Sequence, residues 1–199
     1  MVNFPPLSRF RYLYKNGHIP VVLDYRRGAR QHDLHWMVDI DKLDFEFYLP
    51  IFSDGLSDVE HPFDVLAREG TIILLTAAKD MVLSVLPEVV KGIKKALSTD
   101  DPIAMMNACA VIQRLATVSP LVGLALIRYY RILLVPVFSK YKSVQRPYKR
   151  GEIDYGQGKQ NLSDVVNQTL DLLDRTGGPD AYVEIKYAVP TYDSMYHNA

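Results

Sequence analysis

Cysteine is nearly missing from this chain. The single Cys109 in 199 residues rules out an internal disulfide framework and a cysteine-based zinc site, and the usage fits a reducing cytosol. Net charge is missing too. The 23 Lys and Arg residues balance 23 Asp and Glu, so the chain lacks the long-range field of a general nucleic-acid or anionic-membrane binder. No long apolar run is present: the longest, SPLVGLALI at 119–127, stops at Arg128, far short of the ~20 residues a membrane-spanning helix needs. The opening MVNFPPLSRFRYLY carries prolines and arginines where a secretory signal needs an apolar core, so export by that route is not expected. Without that context the sequons at Asn161 and Asn167 read as helix chemistry, not as glycan acceptors.

Motifs that carry catalysis are also absent. GEIDYGQGKQN has the flavour of a phosphate loop, but Ile153 replaces the first required glycine, and Gln160 stands where Ser or Thr should bind magnesium. The acids of DIDKLDFEF lack the central glycine and closing glutamate of a calcium loop. His32 and His35 lie three apart in or near a strand, a spacing that turns their side chains to opposite faces. Cys109, in an apolar segment with no histidine close in sequence, reads as a buried structural thiol. There is no glycine-framed serine elbow. Nothing here argues for an enzyme, a cofactor or a metal.

What is present is a chain able to bury a core, with 48% hydrophobic residues and the size of one domain or a short repeat array. Two β-prone runs, Ile19 to Tyr25 and Leu34 to Ile40, flank a polar connection and predict a β-hairpin with a basic tip. The period then becomes helical. Phe45, Tyr48, Leu49, Phe52 and Leu56 define one helix, and Pro62 opens the next. Leu86, Val89, Val90, Ile93 and Leu97 face away from Lys91, Lys94 and Lys95 on an amphipathic helix. A helix opening at Pro102 is apolar nearly all round, as expected in the middle of the fold. Residues 121–142 predict one or two helices broken at Pro136, and residues 143–159 an exposed loop. The last helix begins near Asn161, buries Leu162, Val165, Val166, Thr169, Leu170 and Leu173, and stops at Gly177.

The frame L-P-x-x-x-x-G recurs at 49–55 and 86–92, each time ahead of a proline-initiated helix. A period of about 40 with paired helices is that of HEAT or armadillo repeats, which stack into solenoids with extended binding surfaces. The expected fold is mainly α: an armadillo/HEAT-like α-solenoid in one domain. Residues 1–43 form its N-terminal arm and hairpin, 44–177 its helical repeats and 178–199 an extended C-terminal tail. In that tail Tyr182, Ile185, Tyr187 and Val189 would lay a strand over the last helix, leaving Pro190 to Tyr196 for a neighbour.

FRYLYKNGHIPVVL, LHWMVDIDKLDFEFYLPIFSDGL, HPFDVLAREG, VLPEVVKGIKKAL and TGGPDAYVEIKYAVPTYDS together resemble the Parkin co-regulated protein family from about Phe10 to Ser194. The run from Trp36 to Gly55 and the closing IKYAVPTY are the most distinctive blocks. The resemblance implies a non-enzymatic axonemal protein of the cytoskeleton, a microtubule inner protein at the inner junction of ciliary and flagellar doublets. Its implied partners are α/β-tubulin, a small β-rich inner-junction protein and other microtubule inner proteins, with no nucleic acid and no membrane. The basic excursions of the neutral chain are then the expected contacts: Arg26, Arg27 and Arg30 at the hairpin tip, and Arg146, Tyr148, Lys149 and Arg150 in the loop, with Tyr192 and Tyr196 in the tail. The alternative is a cytosolic armadillo-like adaptor holding a small protein partner.

Overall fold

The computed structural model describes residues 8–24, 33–135, 162–194 and 196. Its described helices are numbered in chain order. The first, α1 (Arg9–Lys15), occupies part of the expected arm; the Ser8 hydroxyl caps it, accepting from the Arg11 N–H and donating to the Asp58 carboxylate. The hairpin follows as antiparallel β1 (Val21–Leu23) and β2 (Leu34–Trp36), in register Val21 to Trp36. Both strands are shorter than expected. Alternation along β1 buries Val21 and Leu23 and exposes Val22.

The helical repeats start at α2 (Phe45–Asp54), where the Asp44 carboxylate accepts from the N–H groups of Glu46 and Phe47. Next come α3 (Phe63–Ala78), α4 (Val82–Leu97) and α5 (Pro102–Val118). Proline starts two of these as expected: Pro62 is the cap residue of α3, and Pro102 is the first residue of α5, behind an Asp101 cap. The frame prolines Pro50 and Pro87, by contrast, sit inside α2 and α4. Ser119 caps α6 (Pro120–Leu126), and α7 (Tyr130–Leu134) ends as the Pro136 break requires, with Val135 pushed to an extended ψ of 133° ahead of the proline. Beyond it lie α8 (Leu162–Thr176) and α9 (Ala181–Ala188).

Helices α2 and α4 lie side by side and run the same way. Near their starts the Ser84 hydroxyl donates to Glu46 at 2.8 Å, and near their ends Lys95 reaches Asp54 at 2.6 Å. In the second row α5 packs between α3 and α8, where the Gln113 amide donates to the Thr169 hydroxyl at 2.9 Å. This is the two-row stacking of paired helices, and the chain is mainly α with a small N-terminal sheet. The recurring frame has a packing reason. A Cβ at Gly92 would lie 2.5 Å from the Ser53 carbonyl carbon, and one at Gly55 would lie 2.6 Å from the Phe10 ring. At each frame glycine a helix of the first row accepts the element before it. Every residue of the three sequence-predicted stripes on α2, α4 and α8 is buried except the partly buried Tyr48.

The tail departs from expectation. Residues 181–188 are helical, not extended: Ala181, Ile185 and Ala188 recur at helical spacing and are buried, whereas Tyr187 of the expected strand face is 67% exposed.

Candidate functional site

The hairpin-tip residues Arg26, Arg27 and Arg30 and the loop residues Arg146, Tyr148, Lys149 and Arg150 lie outside the described residues, as does His32. The described ladder closes with the Asp24 N–H donating to the Asp33 carbonyl at 2.8 Å. Among the described residues several cations lie near Asp54, where α2 and α4 end side by side. Asp54 accepts from both the Arg9 backbone N–H (2.7 Å) and Lys95, Lys91 pairs with Glu88 at 2.6 Å, and Lys94 stands exposed beside them. Three lysines in the last turns of α4 also complement the negative end of its helix dipole.

Tyr192, expected as a surface contact, is a buried anchor with 2% exposure. Its hydroxyl lies 3.0 Å from Asp171 Oδ1 and 3.2 Å from Asp174 Oδ2, and the Ser194 hydroxyl donates to the same Asp174 oxygen at 2.5 Å. Burial first, then these carboxylate neighbours, pushes the Tyr192 phenol far above its ordinary value, so it stays a protonated donor. From α9 the Lys186 ammonium donates to the Tyr192 carbonyl at 2.7 Å and to Asp193 at 3.0 Å. Arg131 of α7 grips Glu184 with two hydrogen bonds, of 2.7 and 2.9 Å, while its guanidinium lies 4.5 Å from the Tyr187 ring centre. These bonds hold the Glu184 carboxyl below its ordinary range. Tyr196 alone of the expected tail contacts is on the surface, at 49% exposure.

Reading the sequence missed Asp171, Asp174, Lys186 and Ser194 as a cluster. The signal nearest to them was the IKYAVPTY block, which contains Lys186 and Tyr192. The partners on α8 are about 20 residues away, and no spacing rule connects an aspartate on one helix to a hydroxyl beyond the next.

Cys109 is fully buried, and desolvation pushes its thiol up to about 12 despite a hydrogen bond with Thr169, so it is a packed side chain with no thiolate character. No group of three His, Cys, Asp or Glu residues suited to a metal occurs among the described residues, and none of their helices is long and apolar enough to cross a membrane. Asn107, 1% exposed on α5, has neither amide atom hydrogen-bonded among the described residues. The surface as described offers contact, with ring faces, cations and a latched tail.

Residues 8–194 match the protein family described as Parkin co-regulated protein. A mouse (Mus musculus) protein named Parkin coregulated gene protein homolog is 37% identical over 192 residues, covering 96% of this chain and 78% of its own length.

Proposed function

The chain belongs to the Parkin co-regulated protein family, and from that membership we propose that it is a structural, non-enzymatic microtubule inner protein of ciliary or flagellar doublets. In this reading it binds α/β-tubulin at the inner junction, alternates with a small β-rich partner and other inner proteins, and helps to join the A- and B-tubules. The family match over nearly the whole chain is the observation that carries the reading. The stacked helices support it by presenting broad exposed faces, as repeat proteins that bind other proteins do. The basic hairpin tip and the basic 143–158 loop on a neutral chain are the proposed tubulin contacts, suited to an acidic polymer surface.

Co-pelleting with stabilised microtubules tests the reading. The expected result is pelleting that weakens as salt rises and weakens further when Arg26, Arg27 and Arg30 are neutralised together. A single charge should matter little, because an exposed pair contributes only about 0.2 to 1 kcal/mol. A protein that stays in the supernatant at every salt concentration, and that leaves detergent-extracted axonemes in a low-salt wash, would favour the adaptor reading instead.

A further inference from the structure

Residues 178–194 follow the last long helix through a glycine turn and are held to it by side-chain hydroxyls. Helix α8 ends at Thr176, and the turn that follows is made by Gly177, Gly178 and Pro179, with Gly178 at φ +85°, a left-handed conformation glycine adopts without strain. Helix α9 then packs one face, Ala181, Ile185 and Ala188, chiefly on α7 and α8, and leaves Val183 64% exposed on the other. The central helix α5, by contrast, packs against α3, α4, α6 and α8. Past α9 the chain turns back through a Tyr192 N–H to Val189 carbonyl bond of 2.9 Å and is fixed by the hydroxyls of Tyr192 and Ser194 on Asp174. Lys186 ties the last turn of α9 to the Tyr192 carbonyl and so couples the helix to the returning strap.

We propose that residues 178–194 are an end cap that opens as one unit, with Gly178 as its hinge and the Tyr192 and Ser194 hydroxyls on Asp174 as its latch. A terminal element packed on one side opens at lower free energy than the many-sided core. Hydrogen bonds to a carboxylate are directional, so a small displacement at the latch loses them together. Opening uncovers the seam of α7 and α8, where the Tyr130 hydroxyl donates to the Leu173 carbonyl.

Hydrogen exchange read by mass spectrometry on the full chain tests this. In the unmodified protein, amides of 181–189 should exchange through one shared opening whose urea dependence is weaker than that of α5. Tyr192→Phe should accelerate that block about ten-fold or more, the size expected for losing hydrogen bonds to a charged group, while α3 to α5 keep their own, steeper urea dependence. Asp174→Asn should do the same to the same block. If the 181–189 amides of the unmodified protein follow the global unfolding isotherm, the cap is part of the core and the proposal is overturned. It is overturned equally if either variant speeds exchange only at 190–194.

Discussion

The two ends of this helical stack are closed by different forces. At the N-terminal end the closure is aromatic and apolar. Phe10 inserts under α2 with its ring centre 5.0 Å from that of Phe52, Trp36 of the hairpin approaches Phe52 at 5.7 Å, and Tyr14 meets Phe63 edge-on at 5.7 Å. Arg11 lies over the same Phe63 ring at 4.5 Å and completes the seal. At the C-terminal end carboxylates are added to the apolar face of Ala181, Ile185 and Ala188: Asp171 and Asp174 receive hydroxyls from the strap, and Glu184 receives Arg131. An apolar seal strengthens with area, is non-directional and is nearly blind to salt. A hydrogen-bonded latch contributes less but is specific in geometry, which suits a segment that opens separately.

The largest way to break this contrast is Phe10→Ala. Removing a fully buried ring that packs on Phe52 and Gly55 should cost about 3–5 kcal/mol of global stability, read as a shift of the urea midpoint. Deleting residues 191–199 should act differently, lowering stability by roughly 1–3 kcal/mol through loss of the Tyr192 and Ser194 donors to a buried carboxylate. Equal losses in the two proteins would mean that the ends are not secured by distinct means.

Between the ends, Asn107 supplies a control in which neither closure is touched. Its buried amide, without a partner among the described residues, should make Asn107→Leu more stable by about 1 kcal/mol, seen as a raised Tm. A loss of stability would show that the amide has a partner after all.

The smallest effect sharpens the comparison, because the N-terminal end also has a polar contact that titrates, the Ser8 hydroxyl on Asp58. Burial, outweighing the Ser8 hydrogen bond and the nearby Arg11 charge, holds the Asp58 carboxyl above its ordinary 3.8. A carboxyl with a raised folded pKa binds its proton more tightly in the folded state. Its contribution is therefore most favourable below 3.8 and is lost as pH rises through the raised value. Asp58→Asn keeps an acceptor for Ser8 and should remove that loss, so the Tm of the variant should gain on the parent as pH climbs through the carboxylate range. Parallel Tm curves in the two proteins would rule out this linkage.

Much of the fold was legible because it is written in local periods. The stripes of α4 and α8, the proline starts at Pro62 and Pro102, the break before Pro136 and the burial of Cys109 all follow from spacing within a few turns. The helix α1 was not legible: seven residues rich in aromatics and cations carry too short a pattern. The tail misled for a sharper reason. Residues 181–189 satisfy two patterns, alternation through Tyr187 and Val189 and a helical face through Ala181, Ile185 and Ala188, and only the packing of α9 on α7 and α8 selects the second. Among the candidate contacts of the tail, composition could not separate the buried Tyr192 from the exposed Tyr196.

By itself the sequence determined that this is a stack of amphipathic helices with a buried thiol and a β-hairpin near its start, because helical and strand periods are properties of neighbours along the chain. Tertiary structure alone decided that Tyr192 is an anchor, that Gly55 and Gly92 are places of close approach, and that the C-terminal segment is a latched cap. Those outcomes depend on groups brought together across whole helices, where a hydroxyl meets a carboxylate or a backbone meets a ring, and no local pattern encodes such meetings.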